Sequence, residues 1–428
     1  MNRRTFLTGA AGVVSSQLVR GANNPIKHII FVMSENRSFD HMLGWFPNAD
    51  GKQRGLHYLD SNGVSHPTYH LAPDWTGCGH PDPDHSYDGG RTEYDNGKMD
   101  GFLQASTGND TYCTGFYVEK DLPVFSALHR HFTTCDRYFP SIMGPTFPNR
   151  IFANAGQTDR LDNSLTFSKL PTIWDNLRTA GVSHKYYYGN VPFLALWGLK
   201  YLNICEKFPV FLSDCANDTL PAVSFVDPSL TLVVNTANDD HPFSDMRNGE
   251  AFLSQVYQAV STSPAWDSTV VIFTRDEWGG FFEHVAPPRA VAPNDVDTDL
   301  VNGKALLGMR VPAVIVSPWT VGDALSPTVT SEVFDHTSVL KLIESVFGVP
   351  PLAARETSTD VGNLLDAINF TSPVKPAPVL PTANPVFPQK LCASSAAANV
   401  EIPGAMRVPF ESSFQAMIDA GMLDGWPI

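Results

Sequence analysis

Two short acidic segments, each closing an apolar run, hold the side chains most suited to chemistry. One is Met33-Ser34-Glu35-Asn36-Arg37-Ser38-Phe39-Asp40-His41; the other is Thr274-Arg275-Asp276-Glu277-Trp278-Gly279-Gly280. Glu35, Asn36, Asp276 and Glu277 are four oxygen donors with no Cys or His among them. Such a set suits one hard divalent cation, Ca²⁺, Mg²⁺ or Mn²⁺, better than a soft one. A single acid reads as a helix cap or a loop charge, but two pairs placed after two apolar runs read as a site. A third segment, Ser141 to Arg150, sets Thr146 between Pro145 and Pro148. Proline fixes its own φ and restricts the residue before it, so this hydroxyl is presented from a stiff turn. By itself a Thr beside Pro is ordinary turn chemistry. The fourth segment, Asn238-Asp239-Asp240-His241-Pro242, joins His80, His85 and His284 as a source of imidazoles that bind phosphate or protonate a leaving group. Each of these histidines alone reads equally well as a satisfied loop residue.

Position decides whether these segments meet. Residues 28–33, 270–274 and 313–317 are short β-branched runs that predict buried strands, and 171–180, 249–260 and 337–347 carry helical patterns. Strands alternating with helices predict a mostly parallel sheet with helices on both faces. In such sheets ligands bind outside the carboxyl ends of the strands, which would project both acidic segments into one crevice. Residues 50–110, dense in Gly, Asp, Tyr and His without periodicity, read as a long irregular insertion rather than a second core. Six prolines between 373 and 388 predict an extended wrap, followed by a short tail helix at about 411–420.

The 428 residues are 43% apolar, 11% aromatic and 17% charged, a composition that excludes a disordered, collagenous or coiled-coil chain. Residues 1–22 read as a removable address. A twin arginine, Arg3-Arg4, precedes Phe6-Leu7, a weakly apolar stretch rich in Gly and Ala, and the small-residue end Gly21-Ala22. This resembles a twin-arginine (Tat) export signal, which predicts the Tat export machinery as a partner and a periplasmic or secreted location. Its removal leaves 26 basic against 44 acidic residues, or −18 in place of −15, so a nucleic-acid backbone is not an expected partner. The only long apolar stretch, about 6–19, is shorter than the roughly 20 residues of a spanning helix. Six cysteines (78, 113, 135, 205, 215 and 392) are an even count that an oxidising compartment can pair, Cys205 and Cys215 being nearest in sequence. None has CxxC spacing, which disfavours a thiolate zinc or thioredoxin-like site. Also absent are a GxSxG elbow, a Walker A loop, HExxH and a GxGxxG after a strand.

Taken in order, several blocks resemble the bacterial phosphoesterase family of phospholipases C and acid phosphatases. They are Lys27 to Gly44, Pro83-Asp84-His85, Met99 to Phe102, Cys135 to Phe139, Gly144 to Arg150, Asn238 to Pro242, Asp276 to Pro288 and Phe334 to Ser338. The likeness covers 27 to about 347. It implies an alkaline-phosphatase-like α/β/α three-layer sandwich with long loop insertions. By the same likeness, the metal is held by Glu35, Asn36, Asp276 and Glu277. Thr146 is the nucleophile and a further metal ligand, His85 and His241 line the phosphate pocket, and His284 is a further catalytic candidate. Three positions depart from the pattern: Glu283 replaces an Asp, Arg275 stands where an aromatic is common, and Trp278 where His is common.

The resulting expectation is a metal-dependent phosphoric ester hydrolase, exported, with residues 23–370 as the catalytic domain and 371–428 as wrap and tail. A phospholipase C that frees diacylglycerol and a phosphorylated head group through phospho-threonine leads, with a membrane surface contacted through its substrate. A broad acid phosphatase acting on small phosphate esters is the alternative, and a non-catalytic exported binding protein is the rival from another class. A quaternary ammonium head group would call for an aromatic cage, for which Trp75, Tyr87 and Tyr94 are available.

Overall fold

The computed structural model describes residues 24–230, 237–371, 373–386, 417–418 and 420–427. The proposed export signal and Cys392 lie outside these residues, as does most of the expected tail helix. The eight strands of the central sheet are β1 (His28–Ser34), β2 (Thr133–Cys135), β3 (His184–Tyr188), β4 (Cys205–Lys207), β5 (Val223–Val226), β6 (Thr269–Arg275), β7 (Ala313–Val316) and β8 (Val329–Thr330). Their order across the sheet is β8-β2-β7-β6-β1-β5-β3-β4. Only β7 runs against the rest, pairing antiparallel with β6 on one side and β2 on the other. The mostly parallel sheet expected from the alternation is therefore present, and its three anticipated strands are β1, β6 and β7.

Helices cover both faces: α1 (Phe39–Leu43), α2 (Tyr87–Tyr94), α3 (Pro123–His131), α4 (Thr146–Ala155), α5 (Ile173–Ala180), α6 (Phe208–Ala216), α7 (Met246–Ser261) and α8 (His336–Phe347). Along β1, Ile29, Phe31 and Met33 point into one apolar cluster with α4, α5 and α8, while Ile30 and Val32 point into the other with α3 and α7. Burial on both faces explains why these strands read as continuous apolar runs without polar alternation. The two longest helices are capped as their sequences require. Asp245 accepts from Arg247 N at the start of α7, and α8 runs from the Asp335 cap to Gly348, left-handed at φ 68°.

The insertion differs from its expected form. Instead of remaining without a core, it carries α2 and a satellite cluster in which Tyr58, Met99, Phe102 and Leu103 pack against Met143, Trp278 and Met309. Its apolar residues fall in short turns of differing pitch, so no single period marks them. The described part of the Pro-rich stretch is an extended wrap: Tyr257 Oη donates to Pro378 O, Trp266 Nε1 to Lys375 O, and Leu380 is buried against α7.

Candidate active site

β1 and β6 are parallel neighbours in register Ser34↔Arg275, so Glu35-Asn36 and Asp276-Glu277 leave the sheet side by side. All four side chains are fully buried. Thr146 opens α4, and its Oγ1 donates to Glu35 Oε2 at 3.3 Å. The turn before it is stiffened from within: Asn149 Nδ2 donates to Gly144 O at 2.8 Å and its Oδ1 accepts from Ile142 N. One helical turn on, at the i+4 position that shares a face with Thr146, Arg150 reaches the same acids. Its Nη2 lies 2.5 Å from Glu35 Oε1, Nε 3.2 Å from Asp276 Oδ2 and Nη1 3.0 Å from Asp227 Oδ1. Asp227 also accepts from Tyr186 Oη. Sequence reasoning assigned Arg150 no task, although its spacing from Thr146 was a usable signal; Asp227 and Tyr186 gave none.

The electrostatics are those of a buried pocket with surplus acid. Burial holds Glu35 well above the usual carboxylate range, against the pull of Arg150. Burial likewise pushes Glu277 up to about 8, opposed by His85 and reinforced by Asp276. Asn36 Oδ1 and Nδ2 and Glu277 Oε1 are buried without a hydrogen-bond partner. Orphaned oxygens in a set of carboxylates and one amide are what a hard cation satisfies, so these residues fit a divalent metal. Gly279, left-handed at φ 64°, lets the acid loop pass Asn36: a Cβ there would lie 2.3 Å from Asn36 O.

His85 and His241 border this pocket. His85 Nδ1 pairs with Pro83 O at 2.8 Å and His241 Nδ1 with Pro242 O at 2.7 Å, which turns each Nε2 toward carboxylates. His85 Nε2 is 3.8 Å from Glu277 Oε1 and His241 Nε2 3.7 Å from Asp82 Oδ2, with the rings 6.3 Å apart. Burial opposes protonation of His85, yet Glu277 and Asp82 prevail and push it up to about 9. Burial, His85 and Arg37 hold His241 well below the ordinary imidazole value. The two imidazoles on this wall are thus pushed in opposite directions, His85 toward its charged form and His241 toward its neutral one.

His284 makes other contacts. Its Nδ1 meets Asp40 Oδ2 at 2.5 Å and its Nε2 Asp50 Oδ1 at 3.2 Å, in a network where Arg310 Nη2 holds Glu283 Oε1 at 2.7 Å. With Ser38 Oγ donating to Phe282 O, this network ties the acid loop to α1. The aromatic candidates are engaged separately: Trp75 stacks on Tyr117, the Arg91 guanidinium covers the Tyr87 ring at 3.3 Å, and Tyr94 packs in the satellite cluster. His80 pairs with Asp110 at 2.9 Å. Cys78 is disulfide-bonded, whereas Cys113, Cys135, Cys205 and Cys215 are free and buried. The nearest pair in sequence is therefore not joined. No helix among the described residues is long and apolar enough to cross a membrane.

The sequence pattern of the Phosphoesterase family matches residues 26–350. Non-specific phospholipase C6 of Arabidopsis thaliana is 32% identical over 382 residues, spanning 80% of this chain and 73% of that one. Phospholipase C B of Mycobacterium tuberculosis is 32% identical over 509 aligned positions, spanning 96% of this chain and 95% of that one. Among solved structures, a protein in the alkaline phosphatase superfamily from Vibrio parahaemolyticus is 15% identical with a TM-score of 0.36, over 59% of this chain and 64% of that one.

Proposed function

Since the chain belongs to the phosphoesterase family and is a phosphoric ester hydrolase, we propose that it is a phospholipase C that cleaves a phospholipid to diacylglycerol and a phosphorylated head group. The names of its relatives support that substrate class. The observation that carries the catalytic reading is the Thr146 hydroxyl, aimed at Glu35 inside a buried acid set whose Asn36 has no partner.

In this reading Glu35, Asn36, Asp276 and Glu277 hold a divalent cation, with Thr146 as a further ligand. The cation supplies neutralisation of phosphate oxygens and a lowered pKa for the threonine hydroxyl. Thr146 Oγ1 gives its proton to the pocket carboxylates it faces through Glu35 Oε2 and attacks phosphorus in line, its position fixed by the Asn149-braced turn. The bond from phosphorus to the diacylglycerol oxygen breaks, and that oxygen takes a proton from the His241 or His85 side of the pocket. Water then cleaves phospho-threonine, which releases the phosphorylated head group and restores the hydroxyl. Arg150 keeps three of the surrounding carboxylates oriented throughout.

We also infer export by the twin-arginine route, from Arg3 and Arg4 before Phe6-Leu7. The disulfide at Cys78 supports an oxidising compartment. The test of function is a substrate panel of phosphatidylcholine, p-nitrophenyl phosphorylcholine and p-nitrophenyl phosphate across added metals, run on the wild type, Thr146→Ala and Thr146→Ser. Phosphodiester turnover should fall by several orders of magnitude in Thr146→Ala and be largely kept in Thr146→Ser. Rapid acid quench and peptide mass spectrometry should place the phosphoryl group on Thr146. Turnover confined to p-nitrophenyl phosphate would replace the phospholipase reading with a phosphatase, and an active Thr146→Ala would remove the nucleophile.

A further inference from the structure

The segment that presents His241 is built on a residue in a costly backbone conformation. Asp240 sits at φ 75°, the left-handed region that favours glycine, and its side chain is 3% exposed. Two guanidinium groups hold it there. Arg37 Nε donates to Asp240 O at 2.7 Å, and Arg275 Nη2 contacts Asp240 Oδ2 at 2.5 Å. From the far side α7 comes so close that a Cβ at Gly249 would lie 1.7 Å from Asp240 Oδ1. The flanking residue completes the frame: Asp239 O accepts from Glu35 N at 2.7 Å, and Asp239 Oδ1 accepts from His241 N at 3.2 Å.

Arg275 is the last residue of β6, directly before Asp276, and is itself buried, with its guanidinium 5.5 Å from the Phe125 ring. One rigid strand therefore carries both the acid pair and the group that clamps the histidine loop. We propose that Arg275 is a positioning residue that acts through Asp240 to fix His241 in the pocket, a role that rests on the hydrolase reading above. A buried ion pair is weak evidence for stability, and this one ends on the strained residue next to the imidazole. The clamp gives that strain a use: it fixes where the His241 ring lies relative to Asp82 and His85.

The test compares Arg275→Met, His241→Ala and the double variant, with p-nitrophenyl phosphorylcholine turnover, bound metal by elemental analysis, and the imidazole resonances of ¹⁵N-histidine-labelled protein. Arg275→Met should lower kcat about a hundredfold, the effect of a displacement near 1 Å, while it keeps the metal and shifts the His241 resonances. In the His241→Ala background the same change should cost no more than about twofold, because two residues acting through one contact do not add. Equal losses in both backgrounds, or a folded Arg275→Met that has lost its metal, would overturn the proposal. Should Arg275→Met not fold, Asp240→Asn removes the other charge at constant shape and must show the same pattern. A wild type that hydrolyses nothing in the panel would remove the functional reading, and the His241 resonances of Arg275→Met would then decide the positioning alone.

Discussion

Replacing Arg150 by Met tests whether the pocket stores negative charge for a cation. Arg150 is 1% exposed and faces Glu35, Asp227 and Asp276 at 2.5, 3.0 and 3.2 Å. Removing one member of a buried charge cluster leaves the others uncompensated and typically costs about 3–5 kcal/mol. For a large chain one kcal/mol corresponds to roughly 2 °C in Tm, so the metal-free variant should melt about 6–10 °C below the metal-free wild type. A dication then has more to neutralise in the variant. At a hundred times its Kd the metal stabilises the wild type by about 2.7 kcal/mol, and at the same concentration it should raise the variant's Tm by more than the wild type's. The assay is differential scanning fluorimetry on chelated protein titrated with Ca²⁺, Mg²⁺ and Mn²⁺, with circular dichroism to confirm a native starting state. A metal-free Arg150→Met that melts with the wild type, or equal Tm gains from metal in both, would refute the charge argument.

Three further outcomes follow from separate parts of the chain. Changing both Arg3 and Arg4 to Lys should hold full-length precursor in the cytoplasm, and normal export of that variant would remove the twin-arginine reading. Gly279→Ala must meet Asn36 O at 2.3 Å from a left-handed backbone, so it should lower both metal affinity and turnover, measurable by calorimetric titration and the substrate panel; unchanged affinity would show that the acid loop is not fixed there. Burial and Glu356 raise Glu344 from 4.5 to about 9; the folded pKa exceeds the unfolded one, so its stabilising contribution is complete below pH 4.5 and is lost as pH rises through about 9. Glu344→Gln should therefore flatten the fall of Tm across that window, and an unaltered slope would mean that other groups set it.

What was legible in the sequence follows from where each signal resides. β1 and β6 are buried on both faces, so they appear as unbroken apolar runs, and a residue that directly follows such a run must emerge at a strand's carboxyl end. That is why Glu35, Asn36, Asp276 and Glu277 could be grouped before any coordinates. The turn that presents Thr146 was legible through its prolines, which act locally. Arg150, Asp227 and Asp240 act through side-chain partners 35 to 126 residues away, and Asp240 O also through Arg37, 203 residues away; the spacing of Arg150 from Thr146 hinted at its place, but no local pattern names such partners. The satellite core of the insertion was missed for a related reason, since Tyr58, Met99 and Trp278 meet across loops that share no period. The same distinction separates the two kinds of histidine. His85 and His241 each bind a backbone carbonyl within two residues, which sets the turn of each ring locally even though the loop carrying His241 is held from Arg275, whereas the direction of His284 is set by Asp40, 244 residues away. A direction fixed by short-range geometry can be read from a motif; one fixed by a distant carboxylate needs the fold, and Arg275, whose ion pair among the described residues is with Asp240, belongs to that second kind.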